Sequence, residues 1–352
     1  MKAILLAGGM GTRLRPLTAH TPKPIVPIFN RPFLHYQLDL LKQVPEIDEA
    51  ILSLNYQPHK IEEVLGDGSS IGITLRYVVE PEPLGTGGAI KYASTDVTDT
   101  VVVFNGDVLT QIDLAAVIRL HRERRARATI VLTPVENPMA YGLVETDGNG
   151  NVRRFLEKPT ADNITTNNIN AGVYVLEPET FDRIPGGVPW SIERAYFPSL
   201  VERGETFVAY LYDGYWIDIG APDKYTQVHR DIMDGRFVAA PFLDMAAPRT
   251  LVSPTARIAD GAIISGPCFI DHDVVLEKGA RVGPYSVIGR QSTVDAGASI
   301  EGAILWPNCH VGRDALVYDA IIGRDCQLGR GARVTGGTVL GDHSMLTDYT
   351  RT

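Results

Sequence analysis

The sequence predicts an α/β domain with a largely parallel sheet, followed by a parallel β-helix. Before residue 240, short aliphatic runs alternate with amphipathic stretches, a pattern typical of strands joined by helices. From Leu251 onwards an aliphatic residue recurs at every sixth position, which is the period of a parallel β-helix. The length of 352 residues also exceeds one ordinary core and favours two domains.

The elements of the α/β part follow one another in a regular order. Strand-like runs lie at Lys2–Ala7, Ala50–Leu54, Ile73–Val79 and Thr100–Phe104. Helical spacing lies at Phe33–Val44, Pro58–Leu65, Gly87–Ser94 and Leu114–Arg127. Between Thr129 and Ile219 the runs are mostly strand-like, with one helix near Ile192–Arg203. We therefore expect an elaborated, mostly parallel mixed sheet.

The C-terminal repeat begins after a linker rich in alanine and proline. Nine aliphatic residues stand six apart, namely Val252, Ile258, Ile264, Ile270, Leu276, Val282, Ile288, Val294 and Ile300. Most are followed four positions later by a small residue that permits a tight corner. The register slips around Trp306–Pro307 and resumes at Val311 and Val317. It then shortens by one residue and runs through Ile322, Leu328, Val334 and Leu340. The pattern resembles the left-handed hexapeptide-repeat β-helix, and it predicts domains at residues 1–235 and 251–352, joined by the linker 236–250.

The charge and the cysteine content argue against several classes of protein. The formal charge is −9, whereas a nucleic-acid binder normally carries a basic excess, so we expect no nucleic-acid partner. The three cysteines show no metal-binding or disulfide spacing, which fits a reducing compartment. The apolar run Ala3–Ala7 is too short for a signal peptide or a membrane span. We therefore expect a cytoplasmic protein without a membrane partner.

A glycine-rich loop follows the first predicted strand. Gly8, Gly9 and Gly11 allow the backbone to approach phosphate oxygens closely, and Arg13 and Lys23 supply positive charge nearby. The spacing fits neither the dinucleotide fingerprint nor the P-loop. A tight strand-to-helix turn with surface arginines is the alternative reading.

Six motifs in order resemble those of the sugar-1-phosphate nucleotidylyltransferases, and they most resemble the mannose-1-phosphate guanylyltransferases. The motifs are Gly8–Thr18 with Pro22–Pro24, Glu80–Gly88, Phe104–Asp107, Tyr141–Gly142 with Glu157–Pro159, Asn170–Gly172, and Trp216–Gly220. The resemblance implies a Rossmann-like nucleotidyltransferase domain and a reaction between a nucleoside triphosphate and a sugar 1-phosphate. These two substrates are the expected partners. GTP and mannose 1-phosphate are the preferred pair, and a glucose, heptose or cyclitol phosphate with UTP, dTTP or ATP is the alternative.

The resemblance also implies roles for individual residues. Arg13, Lys23, Asp107 and Lys158 would be catalytic, and Asp107 and Asp218 would ligate Mg²⁺. The nucleotide would contact Leu6, Ala7, Gly8, Gly9, Gly11, Thr12, Arg13, Glu80, Gly85, Thr86, Asn105 and Gly106. The sugar phosphate would contact Tyr141, Gly142, Glu157, Lys158, Asn170 and Gly172. Alternatives stay open: an ordinary turn at Asp107, an arginine partner for Asp218, and a solvated strand end at Lys158.

Glu80 carries the argument for the base. A carboxylate only accepts hydrogen bonds, and guanine offers two donors on its Watson–Crick edge, so a carboxylate that reaches the base favours guanine. An exposed loop acid at Glu80 or Glu82 is the alternative.

Two other functions compete with the enzyme proposed by this resemblance. The β-helix could transfer acyl groups with a histidine base, for which His272, His310 and His343 are available. The chain could also be a non-catalytic regulator that keeps a nucleotide-sugar pocket. In each case the flat sides and open ends of a β-helix favour a homo-oligomer formed through residues 251–352.

Overall fold

A nine-stranded mixed sheet lies at the centre of the first of two units into which the chain divides. The computed structural model describes all 352 residues. The first unit comprises Met1–Met10 and Leu34–Asp218, and the second comprises Gly11–Phe33 and Ile219–Thr352. The glycine-rich segment after Met10 thus groups with the C-terminal part of the chain. The domain boundaries given above remain predictions.

The strands of the first unit confirm the predicted mixed α/β sheet. Their bounds are β1 Lys2–Leu6, β4 Glu49–Leu54, β5 Thr74–Val79, β6 Val101–Asn105, β7 Val108–Thr110, β8 Ala128–Pro134, β9 Gly142–Thr146, β10 Val152–Glu157, β11 Asn168–Leu176, β12 Phe207–Leu211 and β13 Trp216–Asp218. Strands β2 (Pro27–Ile28) and β3 (Arg31–Pro32) belong to the second unit. The path through the sheet is β10-β9-β11-β6-β1-β4-β5, with β8 pairing β11 and β12. Strands β6, β1, β4 and β5 are parallel, and β11 runs antiparallel to β6.

Helices connect the parallel strands much as the sequence predicts. They are α1 Phe33–Leu41, α2 Pro58–Leu65, α3 Gly85–Ala93, α4 Leu114–Glu123 and α5 Phe197–Glu202, the last preceded by a π-helical turn at Ile192–Tyr196. The predicted extension of α4 to Arg127 is wrong. The chain leaves the helix after Glu123 because Arg125 has a left-handed backbone (φ 47°). No helix in the structure is both long enough and apolar enough to cross a membrane.

The second unit contains a helix that the sequence analysis missed. Helix α6, Pro222–Met233, presents buried Tyr225, Val228 and Ile232 on one face. The segment Gly11–Phe33 contributes three short 3-10 turns, Thr12–Leu14, Leu17–Ala19 and Lys23–Ile25, and a hairpin of β2 Pro27–Ile28 and β3 Arg31–Pro32.

A parallel β-helix forms the remainder of the second unit, as predicted. Its strands are β14 Leu251–Val252, β15 Arg257–Ile258, β16 Ile263–Ile264, β17 Cys268–Ile270, β18 Val275–Leu276, β19 Arg281–Val282, β20 Ser286–Ile288, β21 Thr293–Val294, β22 Ser299–Glu301, β23 Ile304–Leu305, β24 His310–Val311, β25 Leu316–Tyr318, β26 Ile321–Ile322, β27 Gln327–Leu328, β28 Arg333–Val334, β29 Val339–Leu340 and β30 Met345–Leu346. They build three parallel sheets of six, six and five strands, which is consistent with the left-handed β-helix.

The six-residue repeat places equivalent aliphatic residues of successive coils above one another in ladders inside the β-helix. Ile270, Ile288, Leu305 and Ile322 stand above one another in paired strands and are buried. Each such aliphatic side chain contributes about 1.5–3 kcal/mol by leaving water, so the ladders supply most of the driving force for this domain.

The first change of register lies before Ile304 and not at the predicted Trp306–Pro307, whereas the predicted shortening between Val317 and Ile322 is confirmed. The pairing of Val287 with Ile304 and of Ile304 with Ile321 shows two shortened coils in succession. The missing residue in each falls at a corner, before Ile304 and before Ile321, where Gly302 and Asp319 have positive φ. The aliphatic ladder continues unchanged across both corners, since Ile288 still pairs with Leu305 and Leu305 with Ile322.

Candidate functional site

The carboxyl ends of four parallel strands gather the candidate nucleotide residues of the first unit. Leu6 at the end of β1 pairs with Ser53 on one side and Asn105 on the other. The backbone N–H of Gly106 donates to the carbonyl oxygen of Leu6 (3.0 Å), and a Cβ on Gly106 would collide with that oxygen. Glycine is thus required at 106. Ligand sites of α/β proteins gather at this edge of the sheet.

Glu80 lies at the same edge, after β5, and is buried at 7% exposure. The reading of Glu80 as an exposed loop acid is therefore wrong, whereas Glu82 is exposed. One carboxylate oxygen accepts from the Ser53 hydroxyl and the other from the backbone N–H of Leu84, both at 2.9 Å. A Cβ on Gly8 would lie 3.4 Å from the Glu80 carboxylate, so the carboxylate borders the glycine loop. Each oxygen keeps a second lone pair for a ligand donor.

The Gly85–Thr86 motif at the start of α3 is held by a neighbouring segment of the first unit. The N–H of Gly87 donates to the carbonyl oxygen of Trp190 (2.8 Å). The Thr86 hydroxyl donates to Glu193 (2.7 Å) and accepts from the N–H of Ile192 (2.9 Å). These contacts give Thr86 a structural role beside its predicted contact with the nucleotide.

The two candidate metal ligands lie next to each other in the fold, one in the turn before β7 and the other at the end of its partner strand β13. Asp107 stands between β6 and β7, and Asp218 ends β13 directly opposite Val108 in the antiparallel β13–β7 pair. The turn that carries Asp107 is clamped by Gln37, whose amide nitrogen donates to the carbonyl oxygens of Asn105 (2.9 Å) and Val108 (2.8 Å). Nowhere does the structure gather three or more histidine, cysteine, aspartate or glutamate side chains as metal ligands.

The candidate sugar residues meet on β9, β10 and β11. Gly142 and Glu157 are cross-strand partners, and the N–H of Lys158 donates to the carbonyl oxygen of Tyr141 (3.1 Å). A Cβ on Gly142 would lie 2.9 Å from a carboxylate oxygen of Glu157, so glycine leaves room for that acid. Lys158 is exposed and has a left-handed backbone (φ 51°).

Glu157 is subject to opposing electrostatic effects from burial and from neighbouring charged side chains. Burial and the negative charge of Glu193 raise the pKa of Glu157, while Lys158 and Arg194 act in the opposite direction. Two carboxylates and two cations thus stand close together. Such a group can accept from sugar hydroxyls and hold a phosphate.

Asn170 and Gly172 form a bulge-like turn within strand β11, where the pairing with β8 changes register. The N–H of Gly172 donates to the Asn170 side-chain oxygen (2.9 Å), and the Asn170 amide donates to the Tyr174 hydroxyl (2.8 Å). Gly172 has φ 73°, and a Cβ there would stand 3.0 Å from Asn105. Trp216 packs edge-on against Tyr141 and donates to the carbonyl oxygen of Ala171. Trp216 therefore supports this turn.

Arg13 and Lys23 belong to the second unit. Gly11 has φ 60°, and a Cβ on it would approach Thr18 at 3.1 Å and Lys23 at 3.3 Å. The Thr18 hydroxyl donates to the carbonyl oxygen of Gly11 (2.8 Å). Lys23 is only 7% exposed, while Thr12 and Arg13 are exposed. Gly11, Thr18 and Lys23 thus form one packed loop.

Gln37 and Glu193 were missed by the sequence analysis. Gln37 lies in α1, and none of the motifs used to predict the site falls within that helix. Glu193 follows Ser191, which caps the turn at Ile192–Tyr196 by accepting from the N–H of Arg194 (3.1 Å), and a serine before an acid was a readable signal.

The β-helix histidines each pair with an acid of their own domain. Nitrogen–oxygen distances are 2.7 Å for His272–Asp271, 3.0 Å for His310–Asp295 and 3.7 Å for His343–Asp325. Each histidine is exposed and stands apart from the other two along the coils.

Comparisons with known proteins agree with the architecture. Residues 2–235 match the family described as nucleotidyl transferase, and residues 264–351 match the family described as GMPPB C-terminal domain. A mannose-1-phosphate guanylyltransferase of Mycobacterium tuberculosis is 38% identical over 88% of this chain and 80% of its own length. A UTP–glucose-1-phosphate uridylyltransferase of Synechocystis is 32% identical over 95% of this chain and 90% of its own length.

Among solved structures, one from Yersinia pseudotuberculosis resembles about two thirds of the chain. HddC from Yersinia pseudotuberculosis, crystallised with GMP-PN, is similar with a TM-score of 0.55 and 29% identity. The match covers 66% of this chain and 99% of that protein.

Proposed function

The chain belongs to the nucleotidyl transferase family and is a sugar-1-phosphate nucleotidyltransferase, and we propose that it converts GTP and mannose 1-phosphate to GDP-mannose and pyrophosphate. The observation that carries this choice of base is the buried Glu80 carboxylate beside Gly8. Its two oxygens can accept from the two donors of guanine. The guanylyltransferase relative and the GMP-PN complex of HddC support the same base.

The proposed reaction needs positioning and charge neutralisation more than an acid or a base. An oxygen of the sugar phosphate attacks the α-phosphorus of the nucleoside triphosphate. The bond between the α-phosphorus and the α,β-bridging oxygen breaks, and that oxygen leaves as part of pyrophosphate. We assign Arg13 to the leaving pyrophosphate, Lys23 to the phosphates at the reacting centre, and Lys158 to the sugar phosphate. A guanidinium fork suits pyrophosphate, whereas a lysine acts as a point charge.

The remaining residues of the proposed site form the two substrate pockets. Residues Leu6, Ala7, Gly8, Gly9, Gly11, Thr12, Gly85, Thr86, Asn105 and Gly106 would surround the nucleotide. Tyr141 and Gly142 would shape the sugar pocket. The Glu157 carboxylate would accept hydrogen bonds from sugar hydroxyls, and the Asn170 amide would both accept and donate them. The internal hydrogen bonds of Asn170 leave one lone pair and one proton for that purpose.

Asp107 and Asp218 fit a magnesium ion. Carboxylate oxygens are ligands that Mg²⁺ prefers, and a site with two carboxylates leaves room for phosphate oxygens and water. Bound there, the ion would offset the repulsion between the phosphates. Gln37 would keep the Asp107 turn in place through its two carbonyl contacts.

A second candidate is glucose 1-phosphate with UTP, which the Synechocystis relative favours. We also propose a cytoplasmic location and a homo-oligomer formed through the β-helix. The first coil supports the oligomer, because Val252, Ile258 and Ile263 remain 37%, 38% and 48% exposed.

The decisive experiment measures pyrophosphate release with Mg²⁺ over a grid of five nucleoside triphosphates and several sugar 1-phosphates. We expect the highest kcat/KM with GTP and mannose 1-phosphate. A dominant UTP, dTTP or ATP row would contradict the role of Glu80 in base choice. Tight binding of GDP-mannose with no turnover in any cell of the grid would favour the non-catalytic regulator. A separate incubation with acetyl-CoA and an amino-sugar phosphate tests acyl transfer, which the release of free thiol would favour.

A further inference from the structure

A hydrogen-bond relay in the second unit runs from the β-helix to the segment Gly11–Phe33. The indole N–H of Trp306 donates to the Tyr225 hydroxyl (3.0 Å). That hydroxyl in turn donates to the carbonyl oxygen of Pro27 in the hairpin. Trp306 and Tyr225 are both fully buried, so water does not compete for these bonds.

The tip of the same hairpin is packed on both α6 and the β-helix. Phe29 stacks edge-on against His229 of α6, with ring centroids 4.8 Å apart, and against Phe269 of the β-helix at 5.2 Å. The backbone N–H of Phe29 donates to Nε2 of His229 (3.1 Å), and the Asn30 amide donates to Asp271 (3.4 Å). The hairpin is therefore fixed by apolar and polar contacts together.

The hairpin continues directly into the residues assigned to the phosphates. The N–H of Val26 donates to the carbonyl oxygen of Lys23 (3.1 Å), which closes the short turn before Pro27. Lys23 packs against the turn at Gly11, and Arg13 lies two residues after Gly11. A displacement of Pro27 would thus be passed to Lys23 and then to Arg13 through bonded and packed neighbours.

A second contact reaches the same segment from the C-terminal coils. A Cβ built on Gly341 would lie 3.1 Å from Cβ of Pro16, and the three atoms nearest to it all belong to Pro16. The β-helix therefore touches the glycine-rich segment directly, and any side chain at 341 would press on it.

We infer that the β-helix is part of the catalytic apparatus: Trp306 and Tyr225 are positioning residues that hold the segment carrying Arg13 and Lys23. This inference rests on the proposed function for the roles of those two cations. The residues act through the backbone of the segment and do not touch substrate.

The test compares Tyr225→Phe, Gly341→Ala and the parent enzyme. Tyr225→Phe removes the relay while keeping the ring, and Gly341→Ala places a Cβ whose three nearest atoms all belong to Pro16. The matched control is Tyr285→Phe, because the Tyr285 hydroxyl donates to Asp234 at the end of α6 (2.9 Å). The control loses a hydroxyl hydrogen bond between the β-helix and α6 without involving residues 11–33.

Two quantities are measured, kcat at saturating substrates and amide hydrogen exchange of residues 11–33. We expect both test variants to speed exchange in this segment and to lower kcat about fivefold, the effect of one ordinary hydrogen bond. Tyr285→Phe should change neither. Exchange unchanged in both test variants, or faster exchange with parental kcat, overturns the inference. Because exchange needs no turnover, a parent that forms no nucleotide sugar would contradict the proposed function alone.

Discussion

The side-chain amide of Gln37 donates a 2.9 Å hydrogen bond to the carbonyl oxygen of Asn105, two residues before Asp107. Its second proton goes to the carbonyl oxygen of Val108, one residue after Asp107. A single side chain thus spans the turn that presents a proposed metal ligand. Buried carbonyl groups that lose such a partner cost about 1–3 kcal/mol, so the clamp holds the turn in one conformation.

Replacing Gln37 should weaken the reaction through Asp107. Gln37→Met keeps the shape of the side chain and removes both hydrogen bonds, so we expect kcat to fall about tenfold and the Mg²⁺ concentration for half-maximal rate to rise. Steady-state kinetics over a magnesium titration measures both. Gln43→Met, at an exposed position just after the same helix, is the control and should behave as the parent. An unchanged magnesium dependence in Gln37→Met would show that the clamp is only structural.

Removing the charge of Asp107 should abolish Mg²⁺-dependent turnover. Asp107→Asn keeps the size of the side chain but withdraws a carboxylate ligand, and we expect kcat/KM to fall by at least about a hundredfold. Circular dichroism should show an unchanged fold. Asp113→Asn is a matched control, since Asp113 caps α4 by accepting from Ala116 (2.9 Å) and asparagine caps equally well. Near-parental turnover in Asp107→Asn would remove Asp107 from the metal site.

Changing Glu80 should alter the preference for the base. Glu80→Gln presents one donor where guanine requires acceptors, so the ratio of kcat/KM for GTP to that for UTP should fall about tenfold. Because glutamine can still accept from Leu84, the loop after β5 should stay in place. The exposed Glu82 provides the control variant Glu82→Gln, in which we expect the parental ratio. A parental ratio in both variants would mean that Glu80 only supports the loop.

The buried His229 should make the protein less stable in mild acid. Burial lowers the pKa of His229 to about 4, whereas the unfolded chain has the ordinary value near 6.5. Between these values the unfolded state binds the extra proton, so stability falls as the pH is lowered from about 6.5 to about 4. The slope contributed by this group reaches about 1.4 kcal/mol per pH unit.

Urea unfolding between pH 4 and pH 8 measures this dependence. His229→Asn should be less stable at pH 8 but should show a shallower acid slope than the parent. His59→Asn, which changes an exposed histidine, should retain the parental slope. A parental slope in His229→Asn would assign the acid sensitivity to other groups.

The features predictable from sequence are those with a period or a dense motif. The hexapeptide period gave the β-helix because each aliphatic residue such as Ile288 must face inward in every coil. Strand ends such as Asn105 could be placed because buried runs end there. The mutual positions of Asp107 and Asp218 needed the β13–β7 pairing, which joins residues far apart in sequence.

Other features depended on contacts that no local pattern contains. Helix α6, which the sequence analysis missed, is the exception, because Tyr225, Val228 and Ile232 have helical spacing and Pro222 stands at a favoured first position. The role of Gln37 depends on carbonyl groups 68 and 71 residues away. The sequence pattern predicts a break in the repeat at Trp306, whereas the structure shows its indole bonded to Tyr225, a partner 81 residues away.

The shortened corners at Gly302 and Asp319 show where the β-helix tolerates changes in length. Two successive coils of this stack lack one residue, yet the inward ladder from Ile288 to Leu340 keeps its pairing. A change in length at these corners keeps the ladder in register, whereas the same change within a strand would turn the following side chains to the wrong face. The stacking of the coils therefore tolerates a change in length at these two bends, and at Asp319 such a change would act instead on the ion pair with Arg230 of α6 (3.2 Å).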